Sequence, residues 1–239
     1  MFLKNLKSHF LTVINNKEKV FYNCVRAGIV WRGIVHDLSK FSPSEFIPGV
    51  IFFQGDRSPN EAEREEKGYS VAWIHHKGRN KHHFEYWTDY NVKTKKLEPV
   101  KMPDKYVAEM FCDRVAASKT YMKEKYTDKA PLEYFLKGKN RRAIHPDTSD
   151  EIEFLLRMLA DKGEDYTFSY IKKHIVHKKR FNIMHKLYQK RKNSIKSHYK
   201  RGVRMMLVII FILGSLFGGT VGFFTSALCS ASARDKDLK

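Results

Sequence analysis

Cysteine is scarce in this sequence. The three residues, Cys24, Cys112 and Cys229, are far apart and odd in number among 239. They form no CxxC pair and no disulfide framework, which suits a reducing compartment. Strict polar–apolar alternation is missing too, so no strand is expected, and no internal repeat is present. The first residues, MFLKNLKSHFLTVINNKEK, interrupt their apolar positions with charge too often for a signal-peptide core. Disorder is excluded in turn, because 42% of the residues are apolar and 13% aromatic.

Acidic residues are absent from one stretch. Residues 172–204 hold thirteen Lys/Arg and no Asp/Glu, and this stretch supplies most of the formal charge of +19. Residues 1–171 keep 29 bases against 24 acids, so the folded part is only mildly basic. The charge therefore belongs to a segment rather than to the whole surface. Beside an apolar run it reads as an anionic-lipid contact, with nucleic acid the less favoured partner.

That apolar run extends from Met205 to Ala233 without a charged residue. About 20 apolar residues cross a bilayer core of about 30 Å, so residues 205–229 are expected to form one transmembrane helix. The basic flank predicts a cytoplasmic N-terminal domain and an outside C-terminus for this single-pass protein. Gly214, Gly218 and Gly222 recur every four residues, a spacing that lets a second helix approach closely, so a homodimer contact is a candidate. The expected organisation is a helical domain over 1–171, a basic juxtamembrane segment over 172–204, a span over 205–229 and a short tail over 230–239.

Within 1–171 the apolar spacing predicts helices over 3–27 and from Ile29 to Leu38, with a restart at Pro43. Further helices are expected from Tyr69 to Lys77, after Met102-Pro103-Asp104, and after His145-Pro146-Asp147. The fold class is all-α.

Eleven histidines are unevenly spread. His75, His76, His82 and His83 fall within WIHHKGRNKHHFEYW, and His36-Asp37 sits in an apolar run. Glu109 and Asp113 share one face of a helix. If the helix continues through the two HH pairs, both lie on one face; if Gly78 and Asn80 break it, the pairs flank a turn. Imidazoles and carboxylates together form the ligand set of a divalent metal such as manganese, iron or zinc.

The motifs HDLSKFSPSEF, AWIHHKGRNKHHFEYW, MPDKYVAEMFCDRVAAS and IHPDTSDEIEFLL, in that order over roughly residues 5 to 159, resemble the uncharacterised DUF5662 family. That family is similar to the HD-domain superfamily of helical, metal-dependent phosphohydrolases. The resemblance implies His36, Asp37 and Asp113 as metal ligands, with histidines of the two pairs as further ligands. It also implies Lys40 as a phosphate contact. Arg79 would add a second cation there, and Glu109 would orient water or act as general base. One departure stands out: where the superfamily pattern begins with His-Lys on the first helix, this chain has Asn16-Lys17. The leading expectation is a membrane-anchored hydrolase of a phosphate ester or nucleotide. A membrane-surface scaffold with a structural or vestigial metal site, and a di-iron oxygenase, are the alternatives.

Overall fold

The computed structural model describes residues 2–176, with Met205 beyond them. The expected span 205–229, its glycine face and the basic segment beyond Val176 lie outside the described residues. Among the described residues no helix is long and apolar enough to cross a membrane.

The described body is predominantly helical, and most helices begin where the sequence places them. They are α1 (Phe2–Arg26), α2 (Val30–Val35), α3 (Pro43–Ile51), α4 (Pro59–Lys67), α5 (Val71–Arg79), α6 (Asp104–Met122), α7 (Ala130–Gly138) and α8 (Pro146–Tyr170). Proline occupies the first or second position of α3, α4, α7 and α8, where its missing N–H costs no helical hydrogen bond.

Two expectations need correction. The helix placed from Ile29 to Leu38 stops at Val35, and a 3₁₀ turn follows at Leu38–Phe41. The chain also contains strands, β1 (Thr88–Asn91) and β2 (Lys96–Pro99), paired antiparallel with Thr88 opposite Pro99. Their residues are mostly exposed on both faces, so burial never imposed the alternation that marks a half-buried strand. The connection is fixed locally instead, by Asn91 Oδ1 accepting from Lys93 N at 2.9 Å and by Lys95 at φ 58°.

The core is built around α6, where every residue from Tyr106 to Cys112 is buried. A helix covered on so many sides has no continuous polar face. Val20 and Cys24 of α1 pack in this core, as do Phe135 of α7 and Ile152, Leu155, Leu156 and Leu159 of α8. Asn23 Nδ2 donates to Cys112 O at 3.0 Å, satisfying the polar group that α1 brings inside. Gly163, at φ 77°, interrupts α8, after which Phe168, Ile171 and Ile175 return to the core. Packing thus continues past the change of composition at residue 171.

Two positions carry testable consequences. A Cβ on Gly49 of α3 would lie 2.3 Å from His9 Nε2. His9 is buried, with its ring centroid 5.2 Å from that of Phe46 and 5.7 Å from that of Phe53, so it has little room to yield. Gly49→Ala is expected to cost about 1–3 kcal/mol by overpacking. A thermal melt would read this as a loss of about 2–4 °C per kcal/mol.

Glu151, on α8, is 2% exposed, and its Oε1 has no hydrogen-bond partner. Burial, reinforced by Asp104 and Asp147, pushes its carboxyl up to about 8. The folded protein therefore keeps a proton that the unfolded chain releases above the ordinary glutamate value of about 4.3. Stability from this group is full at low pH and is lost as pH rises towards 8. Glu151→Gln is expected to flatten the pH dependence of the melting temperature in that window and to raise it at pH 8. An unchanged slope would refute the assignment.

Candidate metal centre

The site begins at the break after α2. His36 is extended, at φ −56° and ψ 128°, and Asp37 is left-handed, at φ 52° and ψ 26°. Aspartate tolerates that conformation better than most residues. The Lys17 amine reaches from α1 to donate to Ile34 O at 2.9 Å and His36 O at 2.8 Å, holding the end of α2 in place. The second histidine pair arrives on a similar break. Helix α5 ends at Arg79, Asn80 is extended, and His82 and His83 follow in a turn. The two HH pairs therefore flank a turn rather than share a helical face.

Two overlapping sets of ligand atoms, each within 4.8 Å of one another, lie among the described residues. One is Asp37, His76, His82 and His83; the other is His36, His82 and Asp113. His36 Nε2 stands 3.3 Å from Asp37 Oδ2 and 3.6 Å from Asp113 Oδ1. Asp37 Oδ1 lies 3.4 Å from His76 Nε2 and 3.3 Å from His82 Nε2. These separations are long for hydrogen bonds, and His36 Nε2, His82 Nε2 and Asp37 Oδ1 are buried without one. Bonds of about 2.0–2.1 Å to a metal would place neighbouring ligand atoms about 3.0–3.4 Å apart. The donor set therefore fits a divalent cation, and a cation would satisfy the orphaned atoms.

Carboxylates behind the imidazoles fix which nitrogen faces inward. Glu109 is fully buried; its Oε1 lies 3.0 Å from His36 Nδ1 and 3.4 Å from His82 Nδ1. Its Oε2 accepts from Arg32 Nε at 2.7 Å. Glu45 Oε2 likewise accepts from His76 Nδ1 at 2.7 Å. An ionised carboxylate only accepts, so it keeps the proton on Nδ1 and turns Nε2 inward, where that of His76 lies 2.8 Å from His83 Nε2.

Burial opposes ionisation of Asp37, but His36, Lys40, His76 and His82 outweigh it and hold the carboxyl well below its ordinary range. Burial works the other way on His83, where His82 and His76 add to it and keep the imidazole neutral, its pKa far below the usual value. Lys40 lies 2.7 Å from Asp37 Oδ2; burial disfavours its charge, but Asp37 and Asp113 more than compensate and raise its pKa. These groups open on a cleft of ≈ 220 Å³, which Asp37, Lys40, His76, His83 and Asp113 line.

The profile of DUF5662, a family of unknown function, matches residues 5–158. The chain belongs to that family. No curated protein and no solved structure matches it.

In this DUF5662 chain the structure brings together His36, Asp37, His76, His82, His83 and Asp113, with Lys40 beside them. Three other sequence-predicted residues stand elsewhere. His75 is engaged at both nitrogens, Nδ1 with Glu45 Oε1 at 2.6 Å and Nε2 with Ser44 Oγ at 3.0 Å, and joins neither ligand set. Arg79 is exposed at the end of α5 and does not line the cleft. Glu109 sits behind His36 and His82 with both oxygens engaged, which makes it a positioning residue rather than a group facing the cleft.

Sequence reasoning missed Glu45, Lys17 and Arg57, the last of which lines the cleft mouth. Glu45 carried a weak signal, a lone acid two residues beyond Pro43 within the HDLSKFSPSEF motif. Trp73 meets His83 edge-on, with ring centroids 4.8 Å apart. Asn16 lines the cleft, and its Oδ1 accepts from Thr120 Oγ1 at 3.4 Å.

Proposed function

We propose that this protein is a membrane-anchored, HD-like, metal-dependent hydrolase of a phosphate ester. The observation carrying this reading is the convergence of buried, unpartnered His36 Nε2, His82 Nε2 and Asp37 Oδ1, with Asp37 on the lining of a cleft that also holds the Lys40 ammonium. A metal bound there would lower the pKa of a coordinated water, supplying a nucleophile near neutral pH. His36, Asp37, His82 and Asp113 hold the cation, and His76 and His83 extend the set toward the cleft. Lys40 meets a substrate phosphate with fixed positive charge, while the Arg57 guanidinium on the cleft lining is paired with Glu65. Glu109 and Glu45 orient the imidazoles. The anchor rests on the uncharged run from Met205 to Ala233 and its basic flank, with the domain on the cytoplasmic side.

Asp37 turns Oδ2 to His36 and Oδ1 to His76 and His82, as a carboxylate bridging two cations would, and this favours a second reading, a pair of irons serving an oxygenase. Asn16 favours the third, a scaffold with a structural or vestigial site, because no α1 side chain enters either set.

Purified full-length chain should be assayed for metal by elemental analysis and for release of p-nitrophenol from its phosphate ester with manganese or iron. Near-stoichiometric metal and an activity abolished by His36→Ala are expected. Metal-free protein, with a rate indifferent to that substitution, would end the hydrolase reading. Stoichiometric iron with a visible absorption band and no phosphatase activity would select the oxygenase.

A further inference from the structure

Away from the centre, the first turns of the fold expose an unusual amount of apolar surface. Leu3 is 78% and Trp31 70% exposed, and Phe10, Ile34, Leu38 and Phe41 are exposed as well. Phe10 meets Phe41 with ring centroids 6.3 Å apart, so α1 and the 3₁₀ turn share one patch. Leu38 and Phe41, three apart in that turn, project to the same side, as do Trp31 and Ile34 on α2. Between α1, the turn and α3 runs a groove of ≈ 490 Å³ whose lining is apolar except for Lys7.

Exposed charge on these elements is predominantly positive. Lys4 and Lys7 are exposed at the start of α1, whose sole acid is Glu18. Across α2 and the turn the sole acid is Asp37, which is buried in the metal centre. Exposed phenylalanine and leucine beside Lys7, together with the exposed tryptophan of α2, match the interfacial zone of a bilayer, where rings sit at headgroup depth and ammoniums meet anionic lipid. Protein interfaces, by contrast, deplete lysine.

We propose that this face of α1, α2 and the 3₁₀ turn docks on an anionic lipid bilayer. Residues 177–204, 28 in number, join the described body to the apolar run. A chain of 28 residues reaches at most about 100 Å, so length by itself does not select which face of the domain meets the bilayer. The turn that presents Leu38 and Phe41 to lipid also carries Lys40, so docking holds the cleft close to the membrane. The inference shares one premise with the proposed function, that residues 205–229 bring the chain to a bilayer. The two are separable by experiment.

Full-length chain would be incorporated into vesicles containing brominated phosphatidylcholine, with or without phosphatidylserine. Carbonate-resistant flotation reports the span; quenching of tryptophan emission reports the face. The expected result is quenching that disappears in Trp31→Phe and weakens in Lys4→Glu/Lys7→Glu and in vesicles lacking phosphatidylserine. Quenching without carbonate resistance would support the face while removing the span. Emission insensitive to brominated lipid, or quenching unchanged by Trp31→Phe, would overturn the proposal. So would efficient disulfide cross-linking of Ile34→Cys to a second copy in the same vesicles.

Discussion

Replacing Asp37 by asparagine is expected to abolish metal binding and, with it, the proposed hydrolysis, while leaving the fold intact. The carboxylate faces His36, His76 and His82 at 3.3–3.4 Å, so it is common to most of the ligand pairs. Asparagine has nearly the same shape and tolerates the left-handed backbone at φ 52°, so the turn after α2 should survive. What is lost is the negative charge that offsets the burial of a cation. Removing a group that only orients a metal ligand typically costs about 10–100-fold in affinity or activity, and loss of a direct ligand should exceed that.

Thermal melts with added metal check this without relying on activity. At metal concentrations about 100 times the dissociation constant, binding stabilises a folded protein by about 2.7 kcal/mol. For a body of this size that raises the melting temperature of the native chain by about 5–10 °C. Asp37→Asn should melt near the metal-free native protein and show no such shift. A full shift in the variant would remove Asp37 from the ligand set.

Truncating Glu109 should have the largest effect on stability. Its carboxyl is buried, and Arg32, His36 and His82 all depend on it. Burial disfavours its charge, but the imidazoles and Arg32 outweigh this and hold its pKa down at about 2. Glu109→Ala leaves a guanidinium and two ring nitrogens without their partner. Breaking a buried charge pair in this way costs about 3–5 kcal/mol. The expected fall in melting temperature is about 6–20 °C.

Glu109→Gln separates positioning from packing. The amide keeps the volume but replaces an obligate acceptor with a group that can also donate, so the imidazole tautomers are no longer enforced. Metal affinity should drop by about 10–100-fold with a smaller loss of stability. If Glu109 were the general base instead, Glu109→Gln would bind metal normally and lose only turnover.

Local signals on the chain announced much of the helical framework. Pro43 and Pro146 mark the starts of α3 and α8, and Met102-Pro103-Asp104 marks the start of α6. Each signal concerns hydrogen bonds within one turn, so no distant contact is needed to read it. Helix α4, in a polar stretch that reads as a loop, helix α7 and the β1–β2 hairpin were not legible. The hairpin buries neither face, and a strand without a buried face imposes no pattern on its residues.

The candidate ligands were legible because two His-His pairs seven residues apart are uncommon, and because the motif resemblance implied His36, Asp37 and Asp113. Their roles were not. His75 and His76 are neighbours in sequence, yet α5 sends His76 to the centre and turns His75 onto Glu45 and Ser44. Glu109 and Asp113 share a face of α6, yet the first lies behind the imidazoles and the second lines the cleft.

By itself, then, the sequence determined the helical class, several helix starts, the family and the set of metal-capable residues, because these rest on local bonding and side-chain chemistry. Only the tertiary structure decided which of those residues converge, which carboxylates stand behind them, and that Lys17 and Glu45 hold the centre together. Those outcomes depend on how α1, α3, α5 and α6 pack, and the distances that define a metal site are set between elements far apart along the chain.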